Sequence, residues 1–164
     1  MRKGEPRMSA AGYKLDDADR RILQVLQQDG RITNQDLAAA CNMSASSCFE
    51  RVRRLRERGV IAGYRALIDP KFVERELLIF TEVLLDRTTS DIFDQFAERI
   101  RRSPEVLECH MVAGGFDYLV KVRMRDMAAY RAFLAGALTV MPGVRETRTY
   151  AVMEEVKDTS VLAL

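Results

Sequence analysis

A chain of 164 residues, 48% hydrophobic and 30% charged, has room for one medium or two small domains with real cores. Three cysteines without a C-x-x-C pair and a single histidine, His110, offer no disulfide framework, no metal cluster and no catalytic motif, so the composition points away from an enzyme. The net charge of +2 is unevenly spread: residues 1–68 hold 13 Lys+Arg against 8 Asp+Glu (+5), and residues 69–164 hold 13 against 16 (−3), as expected of a basic part that meets a polyanion joined to a part with another task. No apolar run approaches the roughly 18–20 residues that span a bilayer. Residues 1–14 lack the apolar stretch of a secretory signal, so they read as a flexible arm and the chain as cytoplasmic.

From Leu15 onward three helices are predicted. Asp16, Asp17 and Asp19 crowd the first turn of a helix with Ile22, Leu23, Val25 and Leu26 on its apolar face, ended by Gly30. Thr33 or Asn34 caps a second helix, with Leu37, Ala38 and Cys41 inward; Asn42 suits the left-handed turn that follows. Ser44 then caps a third helix and Gly59 ends it. This helix carries arginines at 51, 53, 54, 56 and 58; Cys48, Val52 and Leu55 form its apolar stripe, and Ser44, Ser47, Arg51, Arg54 and Arg58 a second stripe beside it. A short helix, a tight turn and a basic helix are the pattern of a helix-turn-helix (motif 34–53) in a domain spanning 15–60. Candidate DNA contacts are Ser44, Ser46, Ser47, Arg51 and Arg54, with Arg31 and Arg58 toward phosphates, because guanidiniums and hydroxyls match base edges and phosphate oxygens. Residues 61–76 read as a wing and linker, punctuated by Asp69-Pro70.

The second half alternates as strand 77–87, helix 90–102 capped by Ser90, strand 106–112, a Gly114-Gly115 turn, strand 116–124, helix 126–141 capped by Asp126, and strand 144–156, with a tail at 157–164. The order β-α-β-β-α-β over 77–156 is a ferredoxin-like αβ-sandwich, with two helices on one face of an antiparallel sheet. The expected fold is therefore α+β with two domains, a three-helix winged helix-turn-helix followed by the sandwich. The sheet's uncovered face, with apolar residues expected among Phe80, Val120, Val122, Tyr150 and Val152, predicts a homodimer, which would also pair two recognition helices.

RILQVLQQDGRITNQDLA, S-x-S-x-CFERVRRL, GYRALIDP, ECHMVAGGFDYLVKVR, DMAAYR and PGVRETRTYAVMEEVK together resemble the Lrp/AsnC, or feast/famine, transcription regulators over residues 15–158. The resemblance implies a DNA-binding regulator of amino-acid metabolism, assembled as dimers and higher multimers such as octamers. It implies no cofactor but a small amino-acid effector, leucine being the first expectation. By position it places that effector between sandwich domains near Met111, Gly114, Phe116, Asp117, Met127, Tyr150, Ala151 and Val152. Asp117 suits an ammonium, the glycine turn a carboxylate, and Met and Val an aliphatic side chain. Two departures stand out: Ala45 and Ser47 replace prolines at the start of the recognition helix, and Gly115 replaces an acid in the hairpin turn. The rival readings are a nucleoid-organising protein with little sequence preference and an amino-acid-sensing subunit with no DNA role.

Overall fold

The computed structural model describes residues 13–86 and 91–164. The predicted arm up to residue 12 and the predicted cap Ser90 lie outside the described residues. The chain divides into two compact units. One comprises the described residues of Met1–Ala66 together with Asp158–Leu164, and the other is Leu67–Lys157. The final residues, read from sequence as a separate tail, thus belong with the N-terminal unit, where Gln27 exchanges hydrogen bonds with the backbone of Leu162 (3.1 and 2.7 Å).

The first unit is built on α1 (Asp17–Gln28), α2 (Asn34–Ala40) and α3 (Ala45–Glu57). Each begins with the cap its sequence requires: Asp16 in a capping box with Asp19, Thr33 accepting from Asp36 N, and Ser44 accepting from Ser47 N. Asn42 (φ 55°) makes the left-handed turn between α2 and α3, and Gly59 (φ 72°) ends α3. Ile22, Leu37, Ala38, Cys41, Cys48 and Leu55 form the core. Within the expected wing and linker, residues 62–69 run without a ladder partner in the described chain. A strand acquires its identity from the edge it pairs with.

The second unit contains a short 3₁₀ turn (Pro70–Val73), β1 (Leu77–Leu85), α4 (Ile92–Arg101), β2 (Val106–Met111), β3 (Tyr118–Met124), α5 (Met127–Phe133, continuing as a π turn over Leu134–Leu138) and β4 (Val144–Ala151). The strands form one antiparallel sheet in the order β2-β3-β1-β4. The predicted last strand stops at Ala151 because β1 begins at Leu77: Val152 N still reaches Leu78 O (2.9 Å), and beyond it no partner strand remains. Ile79, Val83, Leu85, Val120 and Val122 pack under Phe96, Ile100, Tyr130, Phe133 and Leu138 from the two helices. Thr81, buried among them, bonds the Tyr130 hydroxyl (2.9 Å), which also meets Thr149 Oγ1 (2.6 Å).

The register corrects one expectation. Val120 and Val122 face the helices and are fully buried, because side chains alternate and their neighbours Leu119, Lys121 and Arg123 take the other face. The uncovered face therefore carries Phe80, Leu84, Leu119 and Tyr150 interleaved with Glu82, Glu108, His110, Lys121, Arg123, Glu146 and Arg148. It is amphipathic rather than uniformly apolar. Several of its polar groups are paired in place: Lys121 with Glu108 (3.1 Å), His110 with Glu108 (3.3 Å) and Arg148 with Glu146 (2.9 Å).

Candidate functional site

The N-terminal unit rearranges the expected DNA-contact set. The core stripe Cys48, Val52 and Leu55 seats α3, and the stripe beside it turns toward the start of α1. Arg51 Nη1 lies 2.7 Å from Asp16 Oδ2 and 2.7 Å from Asp19 Oδ1. Arg54 donates through Nε to the Tyr13 hydroxyl (3.0 Å), approaches Asp19 (3.4 Å) and sits over the Tyr13 ring at 5.7 Å. These contacts shift the groups involved. The Asp16 carboxyl is held below its ordinary range, first by the Asp19 N–H and then by Arg51, and Arg51 is pushed higher by Asp16 and Asp19. Ser44 is occupied in capping (3.3 Å to Ser47 N) and touches Ser46 Oγ at 3.2 Å. Ser46, Ser47, Arg31 and Arg58 are exposed.

The face of α3 opposite its core presents Ser46, Glu50, Arg53 and Glu57, flanked by Phe49 and Arg56. Arg53 is held by Glu50 (2.6 Å) and Glu57 (3.8 Å), whereas Arg56 has no ion-pair partner among the described residues. Phe49 is 56% exposed, an unusual place for a phenyl ring on a polar helix. Sequence reasoning passed over Phe49, Arg53 and Arg56. The available signal was that Phe49 falls outside the Cys48–Val52–Leu55 stripe.

In the sandwich unit the expected effector residues fall at two ends of the sheet. At one end, Met111 (63% exposed), Gly114, Phe116 and Asp117 belong to the β2–β3 turn, beside Val83–Leu85. At the other, Ala151 pairs with Ile79, Val152 with Leu78, and the exposed Met127 opens α5 just after Met124, the partner of Leu77. Ile79 and Val83 are four positions apart, about 13 Å at about 3.3 Å per residue. Tyr150 lies between the groups on the uncovered face, its hydroxyl donating to Glu82 (3.0 Å), a bond that raises its pKa. Asp117 is only 3% exposed. Its Oδ2 accepts from Leu85 N (2.8 Å), while its own N–H reaches Val83 O (3.0 Å) and its C=O accepts from Val112 N (3.0 Å). This geometry ties the turn to the end of β1.

Among the described residues, the depression at the turn end is too small for an amino acid. The depression beside the turn, lined by Glu82, Leu84, Gly115, Phe116, Glu146 and Arg148, has a volume of about 10 Å³, enough for one water. A larger groove of about 520 Å³ between α4 and β2 includes only Met111 of the expected set. Among the described residues no group of His, Cys, Asp and Glu is placed to hold a metal, and no helix is long and apolar enough to cross a membrane.

Comparison with known proteins agrees with this division. A family model described as winged helix-turn-helix DNA-binding matches residues 15–62, and one described as the Lrp/AsnC ligand binding domain matches residues 78–162. The leucine-responsive regulatory protein of Escherichia coli K12 is 48% identical over 153 residues, 93% of each chain, and that of Klebsiella pneumoniae is equally similar. Among solved structures, a transcriptional regulator of Neisseria meningitidis in complex with L-Met superposes with a TM-score of 0.88 at 36% identity, covering 92% of this chain and 97% of that one. An AsnC family transcriptional regulator of Agrobacterium tumefaciens follows at 0.86 and 32%, covering 91% and 97%. The chain belongs to the Lrp/AsnC family of DNA-binding transcription regulators, with a winged helix-turn-helix and an amino-acid ligand-binding αβ-sandwich.

Proposed function

We propose that this protein is a non-enzymatic, cytoplasmic regulator of amino-acid metabolism. Its sandwich domains pair through their uncovered sheet faces, bind leucine or methionine between copies, and thereby change how DNA is held. The observation that carries this reading is the separation of the expected effector residues. Met111, Gly114, Phe116 and Asp117 sit at one end of the sheet and Met127, Ala151 and Val152 at the other. A two-fold axis across the face would bring the turn end of one copy against the Tyr150 end of its partner, so a site incomplete in one chain becomes complete in two. The interleaved charges of that face suit a self-complementary contact. The names of the relatives, leucine-responsive in one case and complexed with L-Met in another, favour an aliphatic effector of that length.

On this reading Asp117 serves the site by fixing the turn. In the DNA-binding unit, Ser46, Phe49, Arg53 and Arg56 face the major groove, Ser47 stands at its edge, and Arg31 and Arg58 approach phosphates. Phe49 suits a thymine methyl and arginine a guanine edge, each good bidentate pair contributing about 1–3 kcal/mol of discrimination. The dimer is the unit that engages paired half-sites, and larger assemblies, up to an octamer, engage several. An effector that binds one packing of dimers better than another shifts the spacing of half-sites held together. The test combines a thermal-shift panel of the twenty amino acids with sedimentation velocity. An aliphatic amino acid should raise the melting temperature by mass action and alter the assembly. A single sedimenting species, identical with every amino acid that binds, would rule out coupling through assembly.

A further inference from the structure

We infer that Asp19 is a positioning residue that withholds two of the five arginines of the recognition helix and its C-cap from DNA, so that Arg51 and Arg54 orient the helix and leave contact to the outer face. This rests on the DNA-binding reading above. Asp19 is 1% exposed, yet it meets three side chains from two other segments. Its Oδ1 lies 2.7 Å from Arg51 Nη1 and 3.4 Å from Arg54 Nη2, and its Oδ2 accepts from the Tyr13 hydroxyl at 2.8 Å. The same Oδ2 reaches back to Asp16 N at 3.5 Å, while Asp16 Oδ1 accepts Asp19 N at 2.8 Å and Asp16 Oδ2 takes Arg51 at 2.7 Å. Tyr13 closes the ring by accepting from Arg54 Nε. Two carboxylates and two guanidiniums thus form one charge-neutral cluster between α1 and α3.

A buried carboxylate is costly to leave without its donors. Moving Arg51 to a phosphate would leave Asp19 with its closest cationic partner gone. The arrangement also divides the helix's charge. Arg51 and Arg54 are neutralised by α1, Arg53 by Glu50 and Glu57, and Arg56 and Arg58 remain for the polyanion. A helix rich in arginine therefore meets DNA with modest positive charge, a condition under which base contacts weigh more against phosphate contacts.

Salt dependence separates this role from a merely structural one, since each phosphate contact adds about 0.9 to the slope of log K against log[salt]. The assay is fluorescence anisotropy of the full-length protein on a 40-bp duplex selected by the wild type from a random pool, and on a mixed-sequence duplex of equal length, across a salt series. Asp19→Asn, alone and with Asp16→Asn, should free the arginines. The slope should steepen by about 1–2, and the preference for the selected duplex should shrink several-fold. Arg54→Gln, at a position 46% exposed, should lower affinity with the slope unchanged. An Asp19→Asn protein that is folded by circular dichroism with the wild-type slope overturns the inference. If Asp19→Asn does not fold, the Arg54→Gln slope decides: a fall of about 0.9 places that arginine on a phosphate and the inference is wrong. Wild-type protein that binds neither duplex removes the DNA-binding reading itself, and the inference with it.

Discussion

Replacing Asp117 by alanine removes the acceptor for the buried Leu85 N–H, 2.8 Å away, at the point where the β2–β3 turn is tied to the end of β1. A hydrogen bond to a charged group contributes about 1.5–3 kcal/mol, and the orphaned donor sits beside a fully packed strand. For a chain of this size each kcal/mol moves the melting temperature by about 2–4 °C, so Asp117→Ala should melt about 3–12 °C below wild type. Asp117→Asn keeps a carbonyl oxygen for the same N–H and should lose clearly less. The assay is differential scanning fluorimetry of the three proteins with and without the effector found in the amino-acid panel. Because Oδ2 of the carboxylate is engaged by the Leu85 N–H, Asp117→Asn should retain the effector-induced rise. A stable Asp117→Asn protein that has lost that rise would show that the carboxylate meets the effector's ammonium directly. An Asp117→Ala protein as stable as wild type would refute the structural role outright.

Gly143 has φ 74°, and a Cβ built there would lie 2.1 Å from Ile92 Cγ1, so Gly143→Ala combines backbone strain with overpacking and should cost about 2–4 kcal/mol in urea denaturation. Burial pushes the Cys109 thiol up to about 11, which leaves little thiolate at pH 9; alkylation by iodoacetamide at that pH should be many-fold slower than for a free thiol and should accelerate on unfolding. The Asp16 and Asp126 carboxyls are both depressed, chiefly by the N–H groups of Asp19 and Ala129 that they cap. Depressed acids stabilise the fold above their unfolded value of about 3.9, and that contribution disappears as pH falls through the lower folded values. The melting temperature of the Asp16→Ala, Asp126→Ala double variant should therefore fall less steeply below pH 4 than that of wild type.

The local grammar of the sequence was readable where one physical signal dominated. Ser44, Asp126, Asn42 and Gly59 announced caps and turns whose geometry depends on their own side chains or lack of them, and the β-α-β-β-α-β order followed from periodicity. What periodicity could not give was the phase of β3. Val120 and Val122 are apolar on either side of Lys121, and the packing of the helices decides which face is buried. The surroundings of the charged stripe of α3 were hidden for a related reason. Helical spacing places Arg51 and Arg54 together, but it does not show that Asp16 and Asp19, 32 to 35 positions away, pair with them. Long-range pairing of that kind leaves no trace in a local pattern. The effector set came by position from the family resemblance, and its division between two sheet ends emerged only from strand register.

The measurement that bears most directly on the whole account is the affinity of the wild-type protein for its selected duplex, at fixed salt, with and without leucine and methionine. Coupling between effector and DNA sites of about 1–3 kcal/mol predicts a 5- to 150-fold change in Kd with at least one of the two, together with strong preference over mixed-sequence duplex. An affinity indifferent to both amino acids, or equal on the two duplexes, would contradict it.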